Sequence, residues 1–132
     1  MTRLLAYVAA GSAIGGAARL LLGTFLQQRT GASFPVGTLA VNITGSFVLG
    51  FLVRYSVASP TITPELRALL TTGICGGYTT FSTFSFETAT LIEDARYERA
   101  SIYILLSVGL ALIGTFLGFA AARTFMTYRA GA

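Results

Sequence analysis

GICGGYTTFSTFSFE, residues 73–87, interrupts an apolar part of the chain with glycines and hydroxyl side chains. Gly73, Gly76 and Gly77 weaken a helix at this place. The hydroxyls that follow are those of Thr79, Thr80, Ser82, Thr83 and Ser85. Polar or irregular backbone at bilayer depth is tolerated only where it is buried in protein or lines a water-filled path. The stretch therefore predicts a permeation pathway rather than a simple membrane anchor.

The composition is that of a membrane protein without an enzymatic centre. The 132 residues are 54% hydrophobic and 11% charged, and the mean hydropathy of +0.73 is too high for an ordinary soluble domain. The sequence has no His, a single Cys (Cys75) and no paired carboxylates inside one apolar segment. Because triads and acid–base sites need such groups, we predict that the protein is not an enzyme. The basic residues are all arginines, scattered near segment ends, so no nucleic-acid partner is expected.

Four apolar segments follow one another along the chain. They cover residues 4–26, 36–57, 66–92 and 101–122, and each is long enough to cross a hydrocarbon core of roughly 30 Å. Pro, Gly and charged residues mark the connections between them. We predict an all-α membrane protein with four transmembrane helices in one domain, residues 1–132, with both termini on one side. The third helix, which contains residues 73–87, is predicted to be broken.

The arginines give only a weak signal for orientation. The side with the termini carries Arg3, Arg54, Arg67, Arg123 and Arg129. The other side carries Arg29, Arg96 and Arg99, and Arg19 can be added to these. Topology normally follows a clear excess of Lys and Arg on the cytoplasmic side. Charge alone leaves two interpretations open: one orientation, or insertion in both orientations with opposed copies pairing about a two-fold axis in the membrane plane.

Neutral hydrogen-bond donors lie inside two of the segments. Thr38, Asn42 and Ser46 are four residues apart, so they form a polar stripe on one helix face. Tyr103 and Ser107 have the same spacing in the last segment. Such donors can replace part of the hydration shell of an anion. A single Ser or Thr in a membrane helix usually donates to a backbone carbonyl of its own helix. The regular spacing of several polar residues is therefore stronger evidence for a pathway than any one of them.

Two rings and a run of backbone carbonyls complete the candidate pathway. Phe81 and Phe84 are three residues apart and would project from nearly the same helix face. The edge of a phenyl ring is electropositive and can meet an anion, although a membrane Phe usually serves only packing. Where a membrane helix unwinds, freed carbonyls need new partners, and a desolvated cation can supply them. The candidates are the carbonyls of residues 76–79, unless they bond Ser and Thr side chains of the same segment.

Two charged residues, Arg19 and Glu87, lie well inside the segments, whereas Arg54 and Arg67 lie near segment ends. Arg19 would be costly at the bilayer centre, so we expect it in a water-filled vestibule, where it would attract anions, or snorkelling to the interface. Glu87 is the only acid within a segment. It is either an ionisable group on a transport path or a residue near a helix end that meets water or an arginine. We favour the second interpretation, because the charged loop is only one or two turns away.

Three motifs resemble those of the Fluc/CrcB family of fluoride channels. GGYTTFSTFS, residues 76–85, is similar to the family's specific third-helix motif. GTLAVNITGSF, residues 37–47, resembles its second-helix motif with a pore asparagine, and GGAAR, residues 15–19, its first-helix motif. The resemblance covers nearly the whole chain. It implies a fluoride-selective channel in a prokaryotic inner membrane, working as an antiparallel, dual-topology homodimer that passively exports fluoride and relieves its toxicity.

The resemblance also implies roles for particular residues. It places Phe81 and Phe84 along two fluoride pores per dimer. It places the remaining pore residues on the polar side of each path: Asn42, Thr38, Tyr103 and Ser107. It further implies a structural Na⁺ at the dimer two-fold axis, held by the backbone carbonyls of Gly76 and Thr79 from both subunits.

Two other functions are compatible with a small four-helix membrane protein. A dual-topology multidrug-type transporter would need an acid in the first segment, and residues 4–26 contain none. A structural assembly subunit would transport nothing and would have no use for the hydroxyls of the third segment.

Overall fold

The regular elements of the protein are helices. The computed structural model describes residues 1–31 and 33–131, and no strand occurs in that part of the chain. The elements are α1 (Thr2–Thr30), α2 (Val36–Ala58), α3 (Pro64–Ala68), a π-helical turn (Leu69–Cys75), α4 (Gly76–Tyr78), α5 (Phe81–Glu93) and α6 (Tyr97–Gly131). The predicted all-α class is confirmed for these residues.

Three helices of the described chain are long and apolar enough to cross a membrane. They are α1, α2 and α6, with 29, 23 and 35 residues, and they correspond to the first, second and fourth predicted segments. At 1.5 Å per residue α6 is about 52 Å long, more than a hydrocarbon core of roughly 30 Å requires. Most of the large apolar side chains on these helices are exposed on the single chain, as lipid-facing residues are. The protein is a multi-pass membrane protein.

Contacts between helices define their directions. The Gln27 side chain, near the end of α1, accepts a 3.0 Å hydrogen bond from the backbone N–H of Gly37 at the start of α2, so α1 and α2 form an antiparallel pair. Helix α6 runs parallel to α2, because Gly114 lies against the carbonyl of Ile43 and Phe125 against Phe51 further along. The start of α1 and the ends of α2 and α6 therefore lie together.

Glycines set how closely the helices approach. A Cβ on Gly15 would collide with the carbonyl oxygen of Ile74, and one on Gly118 with that of Phe47. Small residues at these two positions allow the helices to pack backbone to backbone. Gly16 and Gly109 do not act in this way, because nothing lies within 4 Å of a Cβ built on either of them.

Residues 64–93 contain two helical parts that meet at Thr79 and Thr80. Thr79 has φ −83° and ψ 159°, and Thr80 has φ −152° and ψ 112°, so both have extended backbone. The glycines before them stay helical; Gly76 has φ −65° and ψ −37°. Gly73 and Gly77 instead lie against the α1 backbone at Gly11 and Ser12. The expectation that the glycines themselves unwind the helix is therefore wrong: all three are in helical elements, and Gly73 and Gly77 pack closely on α1.

Candidate functional site

Glu87 joins three helices through its carboxylate. Thr38 of α2 donates its hydroxyl hydrogen to Glu87 Oε1 at 2.8 Å, and Tyr103 of α6 donates to Oε2 at 2.6 Å. Tyr103 is completely buried, whereas Thr38 and Glu87 are partly buried. Of the two partners expected for Glu87, water or an arginine, the arginine is not found, because the only ion pair among residues 1–31 and 33–131 joins Arg96 to Asp94.

The Asn42 side chain forms hydrogen bonds with both the N–H and the carbonyl of the extended residue Thr80. Its side-chain Oδ1 accepts a hydrogen bond from the Thr80 N–H at 2.7 Å, and its Nδ2 donates to the Thr80 carbonyl at 3.0 Å. Thr80 also caps α5, because its hydroxyl oxygen accepts a bond from the Thr83 N–H at 3.1 Å. An amide has two N–H donors, so Asn42 keeps one more after these bonds.

A row of aromatic rings leads from the buried Tyr103 to the surface of the chain. The Phe84 ring centroid lies 5.2 Å from that of Tyr103, and the Phe81 centroid lies 5.5 Å from that of Phe84. Phe34 completes the row by an edge-on contact with Tyr103 at 5.4 Å. Phe81 is 77% exposed in the single chain. The structure thus brings Phe81 and Phe84 together on one face, as their spacing predicts.

Ser107 is the next residue on the Tyr103 face of α6. Its side-chain oxygen is buried and has no hydrogen-bond partner, although a serine in a helix commonly bonds a carbonyl one turn earlier. The residue is 7% exposed. A buried hydroxyl without a partner costs about 1–3 kcal/mol, so it is available to a ligand that reaches it.

Two carbonyls beside Thr80 lack the donors that a continuous helix would supply. The Thr80 N–H, which would bond the Gly76 carbonyl in an α-helix, donates to Asn42. The Thr83 N–H, which would bond the Thr79 carbonyl, donates to the Thr80 hydroxyl. A guanidinium nitrogen of Arg19 lies 3.5 Å from the Thr79 carbonyl oxygen, at the limit of a hydrogen bond. Gly76 is exposed on the single chain, so this donor set fits a hard cation, which prefers oxygen ligands.

A cleft of about 930 Å³ opens between α1, α2 and α5. Arg19, Thr38, Thr80 and Glu87 are among the residues that line it. Arg19 is partly buried and lines the cleft, and its place in a vestibule stays a prediction. Glu87 connects the cleft with the aromatic row, because it lines the cleft and accepts the Tyr103 hydroxyl of the row.

Comparison with known proteins decides the family. The family model described as CrcB-like protein, Camphor Resistance (CrcB), matches residues 6–119. The chain belongs to the CrcB family. It is 44% identical over 119 residues to a protein of Rhizobium meliloti (strain 1021) named fluoride-specific ion channel FluC, a match that covers 90% of this chain and 95% of that protein.

Two further relatives with the same name have similar identities. The protein of Geobacter sulfurreducens is 46% identical over 123 residues, which cover 93% of this chain and 98% of the relative. The protein of Aquifex aeolicus is 46% identical over 112 residues, covering 85% and 90%. The matched residues 6–119 include every residue of the site in this CrcB-family protein.

Two members of the site were not predicted from the sequence as site residues. Thr80 supplies the backbone that Asn42 holds, and Glu87 accepts the hydroxyls of Thr38 and Tyr103. The sequence did contain a signal for Glu87, because it lies three residues after Phe84 and therefore on nearly the same face of α5. Thr80 was noted only as one of several hydroxyls, and nothing in the sequence pointed to its pairing with Asn42, which is 38 residues away.

Proposed function

We propose that this protein is a fluoride-selective ion channel, and not an enzyme. The observation that carries the proposal is the identity of 44–46% over nearly the full chain to relatives named fluoride-specific ion channel FluC. Neutral donors and phenyl rings in one site suit a small anion. The setting that we propose is a prokaryotic inner membrane, where passive export of fluoride relieves its toxicity.

The proposed assembly is an antiparallel, dual-topology homodimer with two pores. In it, residues 64–93 form a third span, interrupted at Thr79 and Thr80, which gives four spans in one domain of residues 1–132. Phe81 supports a dimer, because a ring that is 77% exposed on the single chain lines a closed path only if a second protein surface covers it. The weak arginine excess on one side is compatible with insertion in both orientations.

The proposed mechanism is dehydration of fluoride in a path between donors and ring edges. Ser107 supplies an unpartnered buried hydroxyl, and Asn42 supplies its second amide N–H. Phe81 and Phe84 face the anion with their positive ring edges. Selectivity follows from a path too narrow for hydrated ions and from hydrogen-bond donors that match the smallest halide.

Glu87 adds a condition to this mechanism. Thr38 and Tyr103 each have one O–H, and both hydrogens are directed to the Glu87 carboxylate. A fluoride ion takes either hydrogen only if the hydroxyl rotates away from Glu87. The two hydroxyls therefore exchange the Glu87 carboxylate for fluoride as their acceptor. Arg19 in the cleft attracts the fluoride ion towards them.

The proposed structural cation is Na⁺. The carbonyls of Gly76 and Thr79 would hold it together with the same groups of a second subunit, because both have lost their helical donors and Gly76 is exposed. A bound cation would supply positive charge at the centre of the dimer. Within this chain, the Asn42 side chain and the Thr80 hydroxyl occupy the N–H groups that would compete for the two carbonyls. The Thr79 carbonyl oxygen also lies 3.5 Å from an Arg19 guanidinium nitrogen, a contact that Na⁺ would have to displace.

Purified protein in liposomes is expected to release fluoride but not chloride. A fluoride electrode would show rapid efflux over the protein-free rate, whereas a chloride electrode would show only that rate. Efflux of chloride as fast as fluoride would contradict selectivity, and efflux of neither would favour a structural subunit. Proton-coupled uptake of a cationic dye without fluoride efflux would favour the multidrug-type transporter.

Replacing Na⁺ with N-methylglucamine throughout purification is expected to weaken the dimer. Size-exclusion chromatography and thermal unfolding would report a loss of dimer and a lower unfolding temperature, and both would recover when Na⁺ is returned. The same samples would lose fluoride efflux. A dimer that is equally stable without Na⁺ would reject the structural cation while leaving the fluoride channel untouched.

A further inference from the structure

The whole net charge of the chain lies at one end of the helix bundle. Five arginines meet one acid at the end that contains the start of α1 and the ends of α2 and α6: Arg3, Arg54, Arg67, Arg123, Arg129 and Glu65. Three arginines accompany three acids at the opposite end: Arg29, Arg96, Arg99, Glu93, Asp94 and Glu98. Arg19 and Glu87 lie between the ends, so the formal net charge of +4 belongs to the first, which we call the basic end.

Three arginines of the basic end gather around the last turns of α2. Arg67 donates to the Ser56 carbonyl at 2.8 Å, and Arg129 donates to the Tyr55 hydroxyl at 2.9 Å. The guanidinium carbon of Arg54 lies 5.7 Å from the centroid of the Phe119 ring. Each cation is held by a neutral group, so the local positive charge is not compensated within the described chain.

The guanidinium group of Arg67 has one nitrogen that no other group satisfies. Its Nε atom is buried and has no hydrogen-bond partner. Burying part of a guanidinium is unfavourable unless an anion balances its charge. At the opposite end, by contrast, Arg96 lies 4.0 Å from Asp94. The basic end has only Glu65 against five arginines, and none of these arginines forms an ion pair within residues 1–31 and 33–131.

Apolar side chains border the three arginines on the outside of the bundle. Val53 and Val57, one turn apart on α2, are 40% and 68% exposed, and Leu66 beside Arg67 is 39% exposed. Helix α2 has 23 residues, about 34 Å, so its last turn reaches the boundary between hydrocarbon and headgroups. Cations at that level with apolar side chains beside them fit a lipid better than a free anion, which has no acyl chain to bury.

We propose that the basic end binds an anionic phospholipid. Its phosphate lies among Arg54, Arg67 and Arg129, and its acyl chains lie against Val53 and Val57. A zwitterionic lipid is a weaker ligand, because its ammonium group brings a positive charge to a site that is already positive. The site does not depend on fluoride transport, since it lies at the opposite end of α2 from Thr38 and Asn42.

Native mass spectrometry of the detergent-purified protein tests this site. Phosphatidylglycerol is expected to form more adducts than phosphatidylcholine with the same acyl chains. Each arginine near an anionic headgroup changes binding by about fivefold. The double variant Arg54→Gln/Arg129→Gln is therefore expected to lose roughly 25-fold in phosphatidylglycerol affinity.

The matched control removes two charges from the other end. Arg29→Gln/Arg99→Gln is expected to bind phosphatidylglycerol within about twofold of the unmodified protein, because the proposed site is untouched. Equal losses of phosphatidylglycerol affinity in both double variants would show that binding depends only on net charge, and this would overturn the proposed site. Equal binding of the two lipids by the unmodified protein would overturn it as well. If the first double variant does not fold, Arg54→Gln alone is expected to lose about fivefold, and an unchanged affinity would reject the proposal.

Discussion

Fluoride efflux is expected to fall about tenfold when Phe84 is replaced by isoleucine, and about as much for Phe81→Ile. Isoleucine keeps an apolar side chain of similar size but has no positive ring edge. A pair of aromatic rings contributes roughly 0.5–1.5 kcal/mol, and we assign the upper part of that range to a ring edge that meets the anion. About 1.4 kcal/mol in a barrier corresponds to tenfold in rate. The double variant is expected to lose roughly 100-fold if both rings act on the same ion. Efflux from liposomes, followed with a fluoride electrode, measures each loss.

Phe116→Ile is the control for these variants. Phe116 is 66% exposed on α6, and its ring contacts Phe119 rather than the row that leads to Tyr103. Its replacement is expected to leave fluoride efflux within about twofold. Full efflux from both Phe81→Ile and Phe84→Ile would remove the rings from the mechanism. A loss of the same size in Phe116→Ile would show that efflux responds to general packing.

Local patterns in the sequence were enough to predict the long helices and part of the site. Apolar segments predicted α1, α2 and α6, because length and hydropathy alone decide whether a helix can cross a bilayer. Spacing placed Phe81 with Phe84 on one face, since residues three apart on a helix are neighbours. Pro64 and Glu65 form the first turn of α3, where Pro needs no N–H partner and an acid complements the helix dipole.

Contacts between distant residues were not predictable in the same way. Glu87 was expected near water or an arginine, but its partners are 49 and 16 residues away along the chain. The Thr38 and Tyr103 hydroxyls were expected as free donors, and they are directed to Glu87 instead. Only the packing of α2, α5 and α6 decides which acceptor each hydroxyl meets.

The glycines of residues 73–87 were predicted to weaken a helix, but two of them serve close helix packing instead. Low helix propensity predicted unwinding at Gly73, Gly76 and Gly77, yet Gly73 and Gly77 are helical and lie against α1. The extended backbone falls at Thr79 and Thr80, where hydrogen bonds from Asn42 replace those of a helix. Propensity is a weak preference, and tertiary contacts outweighed it here.

Asn42→Ala is expected to abolish fluoride efflux and also to lower the stability of the protein. Alanine would leave the N–H and the carbonyl of Thr80 without partners, although Thr80 is only 8% exposed. Each unsatisfied buried group costs about 1–3 kcal/mol, so the free energy of unfolding would fall by roughly 2–6 kcal/mol. Thermal unfolding in detergent and efflux from liposomes measure the two effects separately.

The two measurements together decide what Asn42 does. If Asn42 only donates to fluoride, Asn42→Ala would lose efflux while its unfolding temperature stays unchanged. If Asn42 holds Thr80 in its extended conformation, both would fall, and Asn42→Asp would keep part of the stability, because a carboxylate still accepts the Thr80 N–H. Thr115→Val is the control, since its hydroxyl bonds only the Ala111 carbonyl of its own helix. It is expected to change neither measurement, because a bond within one turn of α6 fixes no other helix.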